Sequence, residues 1–271
     1  MRILVLGGRG MAGHVITSYM KKQGHDVLYT TRNEDGIQLD VTSLAAVRNV
    51  ILHHKPDVLI NAVGLLNGDA EARLKDAIIV NGLLPHFLTE VLDEYGGKLI
   101  HISTDCVFSG EKGSYVENDE KDGTTAYSKT KAIGEVTRSP HLTIRTSIIG
   151  PELKENGIGL FHWFLKQQGE VKGYANVFWN GVTTLELAKA IDHLIPTGAT
   201  GLYHLCTPGR ISKYELLQLF KEVLKKDDVI ITASLTPVHD KTLVHTRKDV
   251  HYPVQDYKNM LMEMVEWMRQ K

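Results

Sequence analysis

RILVLGGRGMAG, residues 2–13, places four glycines directly after a short apolar run. The run itself, residues 2–6, is typical of a buried parallel strand. Apolar residues then recur at helical spacing over residues 11–22, so the segment predicts a strand, a tight turn and a helix. Glycines in this setting let the backbone approach a pyrophosphate at the helix N-terminus. A purely structural turn is the alternative, and the motif alone does not exclude it.

The four glycines fit two dinucleotide-binding patterns. Gly8, Gly10 and Gly13 form GxGxxG, the pattern of a general dinucleotide-binding turn. Gly7, Gly10 and Gly13 form GxxGxxG, which belongs to a different dinucleotide-binding family. The register therefore bears on the chemistry to expect, and later motifs must decide it.

Strand-like and helix-like segments alternate through the first half of the chain. Strands are predicted over 2–6, 26–31, 58–61, 98–103 and 142–145. Helices are predicted over 11–22, 43–54, 69–95 with a break near Gly82 and Pro85, and 125–138. This alternation predicts an α/β fold with a doubly wound parallel sheet of the Rossmann type, covered by helices on both faces.

The pattern becomes less regular after Gly150. A loop is predicted over 151–159, helices over 183–194, 213–226 and 255–269, and strands over 201–205 and 229–232. We expect residues 1–150 to form a dinucleotide-binding domain and residues 151–271 to form a smaller C-terminal substrate-binding lobe. Residues 183–205 are expected to return and pack on the first domain.

Composition narrows the class of protein. The 271 residues are 42% hydrophobic and 23% charged with a formal net charge of −1, so neither nucleic acid nor an anionic membrane is an expected partner. With only Cys106 and Cys206 and without metal-ligand spacing of histidines, no disulfide framework or metal site is expected. The first residues already form a core strand and no apolar run could span a bilayer, so we expect a cytoplasmic protein.

Two later segments carry side chains suited to acid–base chemistry. HISTDCVFSG, residues 101–110, places Thr104 at the end of a predicted strand, where α/β proteins bind ligands. TTAYSKTKAIGE, residues 124–135, places Tyr127 and Lys131 four residues apart on one helical face. A solvated helix face is the alternative, but the glycine turn, the hydroxyl group and the Tyr–Lys pair occur in the order that one mechanism requires.

That mechanism is hydride transfer between a nicotinamide and a carbon that bears oxygen, in which the protein supplies a proton to the developing alkoxide. The ordinary pKa of a phenol, about 10, is too high for efficient acid–base work at neutral pH. A nearby ammonium group favours the phenolate. We therefore expect Lys131 to lower the pKa of Tyr127, and Thr104 to hold the carbonyl oxygen.

Together these motifs resemble the extended short-chain dehydrogenase/reductases. The matching residues are the GxxGxxG glycines, Asp40-Val41, Asn61-Ala62, Ser103-Thr104-Asp105 and Tyr127-x-x-x-Lys131. INAVG (60–64), VNG (80–82) and ISTDCVFSG (102–110) most resemble the dTDP-4-dehydrorhamnose reductase family and related reductases of nucleotide-linked 4-keto-6-deoxysugars. The resemblance covers roughly the first 150 residues and favours the GxxGxxG register.

The resemblance implies a role for each matching residue. Tyr127 would donate the proton, Lys131 would tune Tyr127 and contact the cofactor ribose, and Thr104 would position the carbonyl. Asp105 and Cys106 would lie beside the substrate. The implied cofactor contacts are Gly7, Gly10, Met11 and Gly13 at the pyrophosphate, Asp40 and Val41 at the adenine, and Ala62, Val63 and Gly64 at the middle of the cofactor. The structural alternatives are a helix N-cap partner for Asp40, a strand cap for Asn61 and a helix-break contact for Asn81.

The residue that follows the second strand bears on the choice of cofactor. An acidic residue there would bind the ribose 2′-hydroxyl of NAD, whereas an arginine accommodates the 2′-phosphate of NADP. Arg32, beside Thr30 and Thr31, favours NADP(H). NAD(H) remains the alternative if Arg32 is only a solvated surface residue.

The expected activity is NADPH-dependent reduction of the 4-keto group of a nucleotide-activated deoxysugar in cell-surface polysaccharide synthesis, by a possible homodimer. Cys106 stands where the resembled reductases usually carry an aromatic residue, and the glutamate of the related dehydratases is absent there, which disfavours dehydration. The alternatives are a nucleotide-sugar epimerase that retains its cofactor, and a non-catalytic NADP-binding protein like the regulatory β subunit of methionine adenosyltransferase.

The roles of several aromatic and basic residues, most of them in the second half of the chain, stay open. The aromatic residues could stack on a base or sugar, or belong to the core; they are Trp163, Phe178 and Trp179. The basic residues could grip the substrate diphosphate; they are Arg145, Lys241, Arg247 and Lys248.

Overall fold

The computed structural model describes residues 1–32 and 35–270 of the chain. Its first half alternates strands and helices in the predicted order. The elements are β1 (Arg2–Leu6), α1 (Met11–Lys22), β2 (Asp26–Thr31), β3 (Ile37–Gln38), α2 (Leu44–His54), β4 (Val58–Asn61), α3 (Asn67–Ala72), α4 (Leu74–Ala77), a π-helical turn (Ile78–Leu83), α5 (Leu84–Asp93), β5 (Lys98–Thr104), a 3₁₀ turn (Asp105–Val107), α6 (Ala126–Ile133) and β6 (Leu142–Thr146). Ser43 and Thr125 are the N-caps of α2 and α6 rather than their first residues.

The second half contributes short strands and four helices within the described residues. The elements are β7 (Ile148–Ile149), α7 (Leu160–Leu165), β8 (Gly169–Tyr174), β9 (Val177–Trp179), β10 (Val182–Thr183), α8 (Thr184–Leu194), β11 (Gly201–His204), β12 (Ile211–Ser212), α9 (Lys213–Leu224), β13 (Val229–Ser234), β14 (His239–Asp240) and α10 (Tyr257–Arg269). In the part of the chain that the structure describes, none of the helices is long and apolar enough to cross a bilayer.

Seven strands form the central sheet in the order β11-β6-β5-β4-β1-β2-β3, and all neighbouring pairs are parallel. The predicted doubly wound parallel sheet is therefore confirmed. The strand order reverses between β1 and β4, so the crossovers run in opposite directions on the two sides of this point. Such a switch leaves a ligand crevice beyond the carboxyl ends of the strands.

The sheet is buried on both faces, which explains why β1 reads as a continuous apolar run. Successive side chains of a strand point to opposite faces. Ile3 and Val5 belong to the cluster that includes α1 and α8, whereas Leu4 and Leu6 belong to the cluster that includes α2 and α5. This packing holds the end of β1, and with it the glycine turn, at the crevice.

The second half contributes both to the central sheet and to a separate core. β11 pairs with β6 at the edge of the sheet, and α8 packs against α1. The remaining elements enclose their own apolar cluster, in which Phe161 and Phe164 contact Phe220 at ring-centroid distances of 5.2 and 5.6 Å. This cluster, the second apolar cluster, is covered by α7, α9 and α10.

Two predicted helices differ from the structure. The segment 69–95 breaks at Arg73, with φ −126° and ψ 51°, and not near Gly82 and Pro85. The chain passes Gly82 in a π-helical turn, and Pro85 lies at the start of α5, where a missing N–H is tolerated. The helix predicted over 125–138 ends earlier, at Ile133, with Gly134 as its C-cap. Glycine fits this position because a Cβ there would lie 1.9 Å from a backbone oxygen of the π-helical turn.

Candidate active site

The glycine turn between β1 and α1 borders the crevice. Gly7 has a φ of +79°, a left-handed conformation that favours glycine. Gly7 and Gly10 line the crevice. Gly8 packs instead against Tyr29, whose Cβ would lie 2.5 Å from a Cβ at Gly8. This arrangement agrees with the GxxGxxG register, in which Gly7 and not Gly8 belongs to the binding turn.

We expect Gly13→Ala to lower the free energy of unfolding by about 1–3 kcal/mol, as forced overpacking does. A Cβ at Gly13 would lie 2.1 Å from the backbone oxygen of Gly7, so the turn must move to accommodate it. Urea denaturation measures the loss. Gly68→Ala is the matched control, because a Cβ there meets open space. Equal stability of the two variants would contradict the prediction.

Two adjoining cavities of about 630 and 530 Å³ form the crevice. Gly10 and the segment 62–64 after β4 line both of them. The first cavity extends along the ends of β5 and β6, and the second extends to Arg32 at the end of β2. A wider groove of about 850 Å³ runs along α9 at Arg210 and Lys221, apart from this crevice.

Thr104 ends β5, so its hydroxyl group reaches the first cavity. Its Oγ1 accepts a hydrogen bond from the Cys106 N–H at 3.1 Å and donates to Asp105 Oδ1 at 3.2 Å. Burial raises the pKa of Asp105, and burial together with Asp105 raises the pKa of the Cys106 thiol to about 11. Cys106 is therefore a neutral wall residue rather than a nucleophile.

Tyr127 and Lys131 lie one turn apart on α6, and both line the first cavity. The Thr104 hydroxyl group is close enough to Tyr127 to act on its pKa. The Nζ of Lys131 donates to the carbonyl oxygen of Ile102 at 2.8 Å and lies 3.2 Å from Nε2 of His101. The structure thus brings together the three side chains that the sequence predicted for acid–base chemistry.

The expected lowering of the Tyr127 pKa by Lys131 does not hold in the structure. Burial raises the pKa of Tyr127 above its ordinary value, Cys106 adds to the rise, and the Thr104 hydrogen bond offsets part of it. Lys131 contributes little because its amine is directed at His101 and Ile102, and burial lowers its own pKa to about 8. The phenol consequently stays protonated near neutral pH, which is the form that donates a proton.

The end of β2 lies at the second cavity. Thr30, Thr31 and the exposed Arg32 line it together with the buried Val41. Asp40 does not cap α2: its Oδ1 accepts from the N–H and the hydroxyl of the nearby Thr42, at 3.0 and 2.8 Å. These hydrogen bonds lower the pKa of Asp40. Asp40 borders an adjoining cavity of about 590 Å³ that Arg32 also lines.

Asn61 and Asn81 hold the backbone that follows β4. The Oδ1 of Asn61 accepts from the Val63 N–H at 3.3 Å. The Asn81 amide accepts from the Leu65 N–H and donates to the Leu65 carbonyl oxygen, both at 2.9 Å. The two side chains thereby position the segment 62–64 against the glycine turn.

Sequence reasoning did not identify Lys213 at this site. Lys213 is the first residue of α9, after the capping box of Ser212, and its Nζ lies 5.1 Å from the ring centroid of Trp179. Burial lowers its pKa to about 8. Lys213 and Lys241 are both close enough to Asp105 to act on its pKa. The sequence signal was only a lysine after a serine cap, because the position depends on how the second half packs on the first.

The structure separates the other open assignments. The Nε of Arg145 donates to Glu135 at 2.8 Å inside the core, and Arg247 donates to the Thr200 carbonyl oxygen at 2.6 Å and pairs with Asp249. The two arginines therefore serve the fold. The remaining residues are Lys248, which is exposed; Trp179, which is buried in the second apolar cluster; Phe178, which lies under the Arg210 guanidinium; and Trp163, which is partly exposed on α7.

Residues 1–266 match the RmlD substrate binding domain family. The spore coat polysaccharide biosynthesis protein SpsK of Bacillus subtilis is 26% identical over 248 residues, which cover 89% of this chain and 86% of SpsK. A dTDP-4-dehydrorhamnose reductase from Clostridium acetobutylicum superposes with a TM-score of 0.83 at 25% identity, over 99% of this chain and 100% of that one. A dTDP-4-dehydrorhamnose reductase from Bacillus anthracis, in complex with NADP, superposes with a TM-score of 0.84 at 20% identity, over 98% and 99%. Because the family match spans nearly the whole chain and the motifs of the extended short-chain dehydrogenase/reductases lie around one crevice, the chain belongs to the RmlD substrate binding domain family.

Proposed function

We propose that this chain reduces the 4-keto group of a nucleotide-activated deoxysugar with NADPH, a step that serves cell-surface polysaccharide synthesis. The observation that carries the proposal is the convergence of Thr104, Tyr127 and Lys131 on a crevice beside the glycine turn. The names of the relatives agree with it, since two are dTDP-4-dehydrorhamnose reductases and one is a polysaccharide biosynthesis protein.

The residues around the glycine turn fit a dinucleotide. A Cβ at Gly7 would lie 2.7 Å from the Val63 side chain, so two backbone segments approach closely there. α1 begins after Gly10, which has no side chain with which to cap it, so the first N–H groups of the helix are available to a phosphate. The residues that would hold the cofactor are Gly7, Gly10, Met11 and Gly13, then Arg32, Asp40 and Val41, then Ala62, Val63, Gly64 and Lys131. NADPH, when bound, supplies the hydride.

The protein supplies the proton and the alignment. Tyr127 donates its phenolic proton to the carbonyl oxygen as negative charge develops there, and its raised pKa keeps that proton in place near neutral pH. Thr104 holds the same oxygen by a hydrogen bond that takes the place of its bond to Asp105. Asp105 and Cys106 border the sugar, and the small Cys106 leaves room that an aromatic residue would fill.

The division of labour between the two parts of the chain belongs to the same proposal. Residues 1–150, with 183–205 packed on them, bind the dinucleotide, and residues 151–271 otherwise cover the substrate. Lys213 and Lys241 of the second part are close enough to Asp105 to lower its pKa, so they place positive charge near the sugar site. This charge suits the diphosphate of a nucleotide sugar.

Arg32→Glu is expected to reduce the preference for NADPH over NADH by about 10- to 100-fold, because a hydrogen bond to a charged group contributes roughly 1.5–3 kcal/mol. The measurement is the ratio of kcat/KM for the two cofactors. Arg269→Glu makes the same change of charge at the exposed end of α10 and should leave the ratio unchanged. An unaltered ratio in Arg32→Glu would assign Arg32 to the solvated surface.

The proposed activity is tested by NADPH absorbance with a panel of dTDP- and UDP-linked 4-ketosugars, with and without a 3,5-epimerase. Oxidation above the blank with at least one sugar is the expected result. A failure of every sugar, with NADPH binding intact, would contradict the reductase proposal. Nicotinamide that stays bound in stoichiometric amount through gel filtration would point to an epimerase instead.

Two further features complete the proposal. We infer a homodimer through the apolar face of α4, the π-helical turn and α6, where Leu74, Ile78, Leu83 and Ile133 are each at least 48% exposed. Light scattering of the purified protein tests it, and a monomer would refute it.

We assign the enzyme to the cytoplasm, because Cys106 and Cys206 are both free thiols.

A further inference from the structure

His101 lies in the middle of β5 and is completely buried. Both of its ring nitrogens face polar side chains. Nδ1 lies 3.1 Å from Nδ2 of Asn61, which is its register partner on β4, and Nε2 lies 3.2 Å from Nζ of Lys131. A buried chain Asn61–His101–Lys131 therefore runs from the sheet to the acid–base residues of the crevice.

The orientation of the Asn61 amide determines what His101 can donate. Its Oδ1 accepts the Val63 N–H at 3.3 Å, so its NH₂ group faces His101 Nδ1. An NH₂ group only donates, so Nδ1 must be the accepting nitrogen. Burial holds the pKa of His101 well below its ordinary value, so the ring is neutral and carries one proton. That proton is consequently on Nε2.

An Nε2–H group that faces Lys131 needs an acceptor. An ammonium group has three donors and no acceptor, whereas a neutral amine has one lone pair. Lys131 as an amine can accept from His101 Nε2–H and still donate to the Ile102 carbonyl oxygen at 2.8 Å. Lys131 as an ammonium would place two donors opposite each other at 3.2 Å inside the core.

We propose that Asn61 and His101 are positioning residues that stabilise Lys131 as a neutral amine, by holding His101 in the tautomer that donates from Nε2. When Lys131 takes up a proton from solvent, the imidazole proton must move to Nδ1 and the Asn61 amide must turn its oxygen to the ring. The ring then still carries one proton, and the complex has gained one. The hydrogen bond of Asn61 to Val63 is lost in this state.

Other ionisable groups reach this chain from neighbouring elements. Glu135, which follows the end of α6, favours the ammonium form but already binds Arg145. The charge of His86 on α5 lowers the pKa of His101, as the charge of a protonated Lys131 does. Thr143, the partner of His101 on β6, carries no charge. Burial lowers the pKa of Lys131 and Glu135 raises it. Burial is the stronger effect, so the pKa falls to about 8.

The consequence for catalysis rests on the proposed function. After Tyr127 gives up its proton, the phenolate needs a new one, and an amine whose pKa lies near the operating pH can pass a proton on and regain it. Asn61 and His101 would thus set the pH above which turnover declines. They act through Lys131 and do not touch the substrate.

The experiment reads the tautomer and the lysine charge directly, without substrate. Histidine ¹⁵N NMR of the wild type, assigned with His101→Gln, should show an unprotonated Nδ1 and a protonated Nε2 above pH 8. Lysine ¹³Cε NMR, assigned with Lys131→Met, should show Lys131 losing its charge near pH 8. A protonated Nδ1 beside an uncharged Lys131 would overturn the proposal, as would a Lys131 still charged well above that pH.

Asn61→Asp provides the matched change. Its carboxylate only accepts, so it should draw the imidazole proton to Nδ1, turn the Nε2 lone pair to Lys131 and raise the Lys131 titration by about 1 to 3 units. The pH above which kcat declines should rise together with the Lys131 titration. An unchanged Lys131 titration in a folded variant would refute the coupling, and if the variant does not fold, the wild-type tautomer decides.

His141→Gln is the control for loss of a buried histidine. His141, directly before β6, is equally buried and binds Leu99 and Asp93 instead of Lys131. It should leave the Lys131 titration unchanged. The NMR measurements require no turnover. A failed reductase assay together with the expected tautomer would therefore refute only the proposed function. A successful assay together with the wrong tautomer would refute only this inference.

Discussion

Tyr127→Phe is expected to lower kcat about 100- to 10,000-fold while leaving the affinity for NADPH close to that of the wild type. The substitution removes only the hydroxyl group, so the ring still fills its buried place beside Cys106. Without the phenolic proton, negative charge on the substrate oxygen must be met by the hydrogen bond from Thr104 alone. Steady-state turnover and NADPH fluorescence titration measure the two effects.

Tyr203→Phe is the matched control for this substitution. Tyr203 is a buried tyrosine whose hydroxyl group accepts a hydrogen bond from the Tyr252 N–H at 3.0 Å. Its loss should affect stability and leave kcat near the wild-type value. Wild-type turnover in Tyr127→Phe would show that another group donates the proton.

Glu135→Leu is expected to lower the free energy of unfolding by about 3–5 kcal/mol, the usual result of leaving one member of a buried ion pair alone. The Nε and Nη2 of Arg145 donate to the two carboxylate oxygens at 2.8 and 2.6 Å, and both side chains are about 1% exposed. Ser103 donates to the same carboxylate at 2.7 Å. Urea denaturation measures the loss.

The double variant Glu135→Leu/Arg145→Met should recover much of this loss, because an apolar pair leaves no buried charge uncompensated. Lys121, which also pairs with Glu135 at 3.3 Å, is partly exposed and can turn to solvent. Glu94→Gln removes a carboxylate from an exposed pair with Arg48 and should leave stability nearly unchanged. A double variant as unstable as the single one would mean that packing, and not the unpaired charge, is responsible.

The same pair gives stability a pH dependence. Burial raises the pKa of Glu135, but the hydrogen bonds and charge of Arg145 outweigh burial and hold the pKa below its ordinary value. A lowered pKa in the folded state contributes stability above the unfolded value of about 4.3, and this contribution is lost as the pH falls through the folded value. Glu135→Leu should therefore weaken the acid dependence of unfolding below that pH.

Much of the first half could be predicted because its signals are local. The apolar run 2–6 and the glycines that follow it predict β1, the turn and α1 from neighbouring residues alone. The spacing of Tyr127 and Lys131 predicts their shared helical face, and the end of β5 predicts where Thr104 lies. Each of these predictions needed only the period of one element and the rule that parallel strands end at one edge.

The features that could not be predicted depend on tertiary contacts. Gly82 and Pro85 read as a helix break, but the Asn81 side chain ties the π-helical turn to Leu65 and the chain stays helical. The direction of the Lys131 amine depends on His101, which lies thirty residues earlier, and the burial of Tyr127 raises its pKa where the sequence predicted a lowering. Such pairings have no local sequence period.

The most direct test of the account follows the hydride itself. The protein is incubated with a dTDP-linked 4-keto-6-deoxyhexose and with NADPH deuterated at either face of nicotinamide C4 in turn, and the sugar nucleotide is examined by mass spectrometry and NMR. The account predicts one deuterium at C4 of the reduced sugar from one of the two labelled cofactors, and little label with Tyr127→Phe. A sugar that gains no deuterium from either cofactor, while NADPH binds, would contradict it.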